Sequence, residues 1–196
     1  MSIFSNNRNT NQAISQRQML SQKYQGARSN LLLVLAFTLI NIVLLFAKAN
    51  TYFLFSAFVP YQMVVEGMYY CGKLPEEAYA GYYHQMDFLN DSFLYTMVAI
   101  AAIILVVYLL CWIFSKKYKS GWLIAALVFF LLDTLALVLM TYTDIANNIV
   151  DYVFHGWVIY SLISGISANA KLKALPEEEI PAPVDEYQEI EPVDEA

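Results

Sequence analysis

Charged residues are scarce in this chain. Only 14% of its 196 residues are Asp, Glu, Lys or Arg, whereas 59% are hydrophobic. An ordinary soluble domain carries about 25% charged residues. The shortage of charge excludes a typical soluble globular domain, and the excess of apolar residues excludes an intrinsically disordered chain. The composition is typical of an integral membrane protein, for which the lipid bilayer is the first partner.

Residues that carry catalytic or metal chemistry are also few, since the chain holds two cysteines and two histidines. It contains no HExxH, GxSxG, P-loop or CxxC motif. A metal hydrolase needs more His, Asp or Glu ligands at fixed spacing, and a thiol oxidoreductase needs paired cysteines. We therefore expect no enzymatic activity, no catalytic residues, no metal site and no cofactor. We also expect no nucleic-acid binding, because no basic stripe exceeds what membrane flanks require.

Long apolar runs are what the chain does contain. A helix needs about 20 predominantly apolar residues to cross the roughly 30 Å hydrocarbon core of a bilayer. Four runs meet this requirement, at about 29–48, 92–115, 121–143 and 145–170. We predict an all-α integral membrane protein in which residues 29–170 form a four-transmembrane-helix antiparallel bundle. The polar, cytoplasmic segment before it, residues 1–28, is expected to have no stable structure, with a short interfacial helix from Ala13 to Tyr24 as the alternative.

The lysines and arginines predict the orientation of these spans. With four spans, nine of the 11 basic residues fall on one side, and only Lys48 and Lys73 fall on the other. Basic residues in short flanks favour the cytoplasmic side. We predict that both termini are cytoplasmic and that the protein lies in the plasma membrane.

A fifth apolar stretch, residues 52–65, is broken by Pro60. It is shorter than a spanning helix requires, so we assign residues 49–91 to one external loop that lies on, or dips into, the outer leaflet. The segment is thus expected to be an interfacial or re-entrant helix. A five-span arrangement is the alternative, and it would move the lysines at 116–119 to the outside.

The external loop is rich in aromatic residues. Rings with a polar edge favour the headgroup zone, so one interpretation is an interfacial belt, with a one-turn helix at residues 75–77. The other interpretation is an exposed surface for a partner. Its candidate residues are Tyr69, Tyr70, Tyr82, Tyr83 and His84.

Ionisable residues inside the predicted spans are the main candidates for a site. Asp133 lies in the middle of the third span, 11 residues before Asp144, and His155 lies 11 residues after Asp144. In a helical hairpin these two residues share one depth. Asp144, Asn148, Asp151 and His155 follow a 4, 3, 4 spacing, which predicts one helical face. This polar stripe is interpreted either as hydrogen bonding that fixes helix packing or as a proton or cation site.

The C-terminal segment, residues 171–196, is the source of the acidic pI. Nine acidic residues and no basic residue occupy positions 176–196. Such a segment cannot build a core, and we expect a disordered, cytoplasmic, Pro-rich tail. It is interpreted either as a solvating tail or as a docking motif for a protein partner.

Two functions follow from these observations. The first is a non-enzymatic accessory, scaffold or interaction subunit of a membrane assembly, which contacts its partners through the tail or the external loop. The alternative is a small transporter or channel component that uses the Asp/His polar site. Small residues on the second and fourth spans mark either contacts within the chain or the face of a homo-oligomer.

Overall fold

The structure, a computed structural model, describes residues 3–49 and 51–175, with side chains from Gln16 onward. Within these ranges the chain forms helices and connections, without a β-strand. The predicted disordered acidic tail at 176–196 lies outside the described residues.

Five α-helices follow one another along the described chain. They are α1 (Ile3–Phe46), α2 (Phe58–Tyr70), α3 (Asp91–Phe114), α4 (Ser120–Thr141) and α5 (Ile149–Ala174). All except α2 are long and apolar enough to cross a membrane. The prediction of an all-helical protein with four such segments is therefore confirmed, and it is consistent with a multi-pass membrane protein.

Helix α1 begins much earlier than the sequence predicts. Residues 3–28, which we expected to have no stable structure, are helical and continuous with the apolar run. Tertiary packing explains the difference, since Leu20, Tyr24 and Ala27 are buried. The hydroxyl of Tyr24 donates a hydrogen bond to the carbonyl of Ser115 at 2.6 Å. Packing of this kind stabilises a helix that its Asn- and Gln-rich sequence would not form alone.

The longest helix–helix interface joins α1 and α5. Asn30 Nδ2 donates to Ser161 Oγ at 2.6 Å, and nearer the two chain ends Arg17 donates to the carbonyl of Leu175 at 3.2 Å. Between these contacts Gly165 allows close approach, because a Cβ atom at this position would overlap Cβ of Ala27.

The connection from α2 to α3, residues 71–90, folds into a small unit that we call the cap. It contains two 3-10 turns, Glu76–Tyr79 and Tyr83–Gln85, and the first confirms the short helix predicted near 75–77. Tyr79 is 2% exposed and its ring lies 4.9–5.5 Å from the rings of Tyr69, Tyr83 and Phe88. The cap therefore has its own aromatic core.

The region where α1 contacts the end of α3, which we call the basic end, contains Arg28 and the α3–α4 connection. Arg28 is largely buried, and its guanidinium donates to Ser115 Oγ at 2.9 Å and to the carbonyl of Trp112 at 3.2 Å. These hydrogen bonds fix α1 against the end of α3, next to the three lysines at 116–119.

Candidate functional site: Asp133 and the N-terminus of α2

The segment between α1 and α2 contacts the middle of α1 and of α4 and has no regular structure of its own. Three of its backbone polar groups form hydrogen bonds with side chains of α1. Asn41 accepts from the Phe53 N–H at 2.8 Å and donates to the Phe53 carbonyl at 2.6 Å. Thr38 Oγ accepts from the Ala57 N–H at 2.8 Å. A buried backbone without such partners would be costly, so these two polar residues permit the entry.

Helix α2 begins at Phe58, and no side chain of its own N-cap residue accepts a hydrogen bond from its first N–H groups. The N-cap residue is Ala57, whose side chain has no hydrogen-bond acceptor. Asp133, from the middle of α4, takes over this role. Its Oδ1 accepts from the Val59 N–H at 2.7 Å and its Oδ2 accepts from the Phe58 N–H at 2.9 Å. A carboxylate at a helix N-terminus satisfies free N–H groups and interacts favourably with the helix dipole.

His155 of α5 is the third hydrogen-bond partner of the Asp133 carboxyl group. Its Nε2 lies 3.2 Å from Asp133 Oδ2, and its Nδ1 lies 2.8 Å from the carbonyl of Asp151. A carbonyl only accepts hydrogen bonds, so we assign a hydrogen to Nδ1. The Nε2–Oδ2 contact then requires one further proton, on either atom. In both cases the pair is electrically neutral, which lowers the cost of burying it.

The Asp133–His155 pair is almost completely removed from solvent. The two side chains are 3% and 2% exposed. The ring of Phe130 stacks on the imidazole, with centroids 4.9 Å apart. The sequence-based prediction that these two residues share one level is matched by direct contact. Asp133 also accepts hydrogen bonds from the start of α2, so the site joins α2, α4 and α5, whereas sequence spacing indicated only two helices.

A small cavity of about 150 Å³ lies beside Asp133. Val59 of α2, Ile104 and Tyr108 of α3, and Phe129 and Leu132 of α4 complete its lining. The lining is mainly apolar, and the carboxyl group of Asp133 beside it already takes part in three hydrogen bonds. The arrangement can hold a helix N-terminus in place, whereas a ligand for Asp133 would have to displace one of these partners.

The other residues of the predicted polar stripe lie apart from this site. Asp144 and Asn148 precede α5, in the exposed turn that follows α4, where Asn148 Nδ2 donates to the Asp144 carbonyl at 2.8 Å. Asp151 lies in the first turn of α5 and is half-buried. The stripe is broken because α5 begins at Ile149, four residues later than the predicted span. Only Asp133 and His155 are brought together.

The predicted aromatic surface is divided between the core of the cap and its exterior. Tyr83 of the cap and Tyr69, near the end of α2, both pack on Tyr79. Tyr70 and Tyr82 are 44% and 62% exposed. His84 is also exposed and lies beside the Tyr83 ring, 5.5 Å between centroids. Part of the predicted surface is thus accessible to a partner, and part holds the cap together.

Thr38 and Asn41 are the site residues that sequence analysis missed. They are three residues apart in an otherwise apolar run, which places them on one helical face. This pair of uncharged polar residues, followed closely by a Pro-containing apolar segment, was the available signal. It indicates a helix face that has to satisfy the backbone of another segment.

Metal chemistry finds no support in the part of the chain that the structure describes, where no three His, Cys, Asp or Glu side chains are grouped to hold an ion. Cys71 and Cys111 are both buried and unpaired. Comparison of the chain with family models, with curated proteins and with solved structures found no match. The site must therefore be interpreted from its own geometry.

Proposed function

We propose that this protein is a plasma-membrane protein in which α1, α3, α4 and α5 form an antiparallel four-helix bundle and α2 is re-entrant. Large apolar side chains on the outer faces support lipid contact, for example Ile103 at 64% and Leu139 at 63% exposed. The capture of residues 51–59 by Thr38, Asn41 and Asp133 supports re-entry, because irregular backbone at membrane depth must be satisfied by protein groups.

The contacts between α1 and α5 support the antiparallel arrangement. Arg17 meets Leu175, whereas Asn30, later in α1, meets Ser161, earlier in α5. The three lysines at 116–119 adjoin Arg28, while Lys48 precedes α2 and Lys73 follows it, within the cap. This distribution supports cytoplasmic termini and an external cap.

We further propose that the protein acts as a non-enzymatic accessory, scaffold or interaction subunit of a larger membrane assembly. The observation that carries this proposal is that both Asp133 oxygens accept hydrogen bonds from the N-terminal N–H groups of α2. The most deeply buried ionisable pair thereby serves the fold. The surfaces that remain for binding are the exposed rings of Tyr70 and Tyr82 and the acidic tail. Their binding partners would be other proteins or a second copy of this chain.

Proteoliposomes containing only the purified chain test this function. An accessory subunit conducts no protons or cations under an imposed pH gradient, measured with an internal pH-sensitive dye. In native membranes, chemical cross-linking should capture a stoichiometric partner that is lost in a variant truncated at residue 175 or in the Tyr70→Ser/Tyr82→Ser double variant. Proton flux by the purified chain, or a captured set that neither change alters, would contradict the proposal.

The alternative function, a small transporter or channel component, is favoured by one observation. The cavity of about 150 Å³ reaches the Asp133 carboxylate at the start of a short helix, and transporters typically form their substrate and ion sites from discontinuous membrane helices. Under this alternative, His155→Gln keeps a hydrogen-bond donor near Oδ2 but abolishes pH-dependent flux by the folded chain. An accessory protein shows no flux before or after the substitution.

A further inference from the structure

We propose that a pocket at the basic end binds the acidic start of the protein's own tail, residues 176–179. The pocket has a volume of about 450 Å³ and lies between α1, α5 and the α3–α4 connection. We call it the Arg17 pocket. Its polar lining consists of Arg17, Gln18, Ser21, Tyr118, Asn169 and Lys173.

Charge complementarity is the first argument. Two lining residues are cationic, Arg17 and Lys173, and none is acidic. The segment that follows α5 reads Pro176-Glu-Glu-Glu, so three consecutive carboxylates begin four residues after Lys173. Attraction over such short distances is only partly screened at physiological ionic strength.

The exit point of the chain is the second argument. Arg17 donates a hydrogen bond to the carbonyl of Leu175 at 3.2 Å, so the chain leaves α5 at the edge of the pocket. Three residues in an extended conformation reach about 10 Å. Glu177 to Glu179 follow Leu175 by two to four residues, so this length of chain suffices to bring them to the pocket edge beside Arg17.

The floor of the pocket gives a third argument. Asn169 is fully buried, and its Nδ2 donates to the carbonyl of Tyr118 at 2.8 Å. Its Oδ1 is buried and has no hydrogen-bond partner among the described residues. Buried acceptors are normally satisfied. A donor from a segment seated above this residue, such as a backbone N–H or a water that it traps, would meet that requirement.

A lipid headgroup fits the same charges less well because of the depth of the pocket. This step rests on the membrane placement proposed above. Arg17 lies 11 residues before Arg28 on one helix, which corresponds to about 16 Å along the axis. The headgroup zone is only about 5–8 Å thick on each side of the hydrocarbon. With Arg28 at the hydrocarbon boundary, the Arg17 pocket lies beyond the headgroups.

Disulfide cross-linking of the full-length chain tests the proposal. The test pair is Gln18→Cys with Glu178→Cys, and the matched control is Met19→Cys with Glu178→Cys. Met19 is adjacent in sequence and exposed, but it does not line the pocket. The native cysteines are both buried. In phosphatidylcholine nanodiscs under mild oxidation, the test pair should form its intramolecular disulfide at least about fivefold faster than the control.

The advantage of the test pair should be lost when Lys173→Glu is added or when salt is raised from about 0.05 M to about 0.5 M. It should persist in nanodiscs in which about one third of the lipid is phosphatidylserine. Equal rates for the two pairs, a cross-link between two copies, or loss of the advantage in the anionic nanodiscs would each overturn the proposal. The same comparison in neutral detergent does not depend on membrane placement, so failure there refutes the pocket alone.

Discussion

The substitution Asp133→Asn tests whether the Asp133 carboxylate holds the N-terminus of α2 in place. Asparagine has nearly the volume of aspartate, so the change removes charge and one acceptor without opening a cavity. The Asn Oδ1 can accept from the N–H of Phe58 or of Val59, but its Nδ2 is a donor and must face another donor. One backbone N–H of α2 therefore loses its partner, and the His155 contact loses its charge complement.

The expected cost can be worked out from the contacts. Removing one partner of a buried ion pair typically costs about 3–5 kcal/mol, and leaving one buried donor unsatisfied costs about 1–3 kcal/mol. These two values describe overlapping losses, so we expect about 3–4 kcal/mol in total. Since about 1.4 kcal/mol corresponds to a factor of ten, local opening at the start of α2 should become roughly 10²–10³ times more frequent.

Hydrogen exchange measured by mass spectrometry on the detergent-solubilised chain provides the assay. A peptide covering residues 51–63 should exchange faster by this factor, while peptides from α3 change little. The thermal midpoint should fall by roughly 10 °C, given about 2–4 °C per kcal/mol for a chain of this size.

Asp151→Asn is the matched control for this experiment, because it removes the same charge from α5 at a half-buried residue that holds no part of the entering segment. It should leave the exchange of residues 51–63 close to wild type. If the two variants behaved alike, Asp133 would not hold the N-terminus of α2 and the interpretation of the site would fail.

Three further predictions concern the packing around this site. Thr38→Val removes the acceptor of the Ala57 N–H and should cost about 1–3 kcal/mol, whereas Thr134→Val, whose hydroxyl bonds only within α4, should cost less in the same thermal unfolding series. Gly165→Ala should separate α1 from α5 and lower the thermal midpoint, because its Cβ overlaps Ala27, while Gly156→Ala meets open space and should be neutral or stabilising by up to about 1 kcal/mol. Burial raises the pKa of Tyr79 above its usual value near 10, so the neutral phenol stabilises the cap below pH 10 and that stabilisation is lost as pH rises further. Exchange of residues 71–90 should accelerate above pH 10 in wild type, and Tyr79→Phe should remove this alkaline step.

The helical architecture could be predicted because hydropathy and length are local properties. The runs at 92–115 and 121–143 correspond closely to α3 and α4. The start of α1 could not be predicted, because the burial of Leu20, Tyr24 and Ala27 depends on distant partners. The start of α5 was placed four residues early for a related reason, since apolar and polar residues at 145–148 fit a helix as well as the turns that the chain adopts.

The candidate site could be predicted only in part. Equal spacing from Asp144 indicated the shared level of Asp133 and His155, because depth along a helix hairpin follows from residue number. The third participant, the N-terminus of α2, could not be found this way. Its role depends on two backbone N–H groups, which carry no sequence signature, and on an alanine at the N-cap that offers no side-chain acceptor. Thr38 and Asn41 gave a weak signal of this entry.

We propose that residues 51–70 enter the membrane and return to the side from which they came. Single-cysteine variants at Lys48, Lys73 and Lys117, treated with a membrane-impermeant maleimide in intact cells, test it directly. The account predicts labelling at positions 48 and 73 from outside, and at position 117 only after permeabilisation. Labelling of positions 48 and 73 from opposite sides of the membrane would show that α2 crosses it, and would contradict the account.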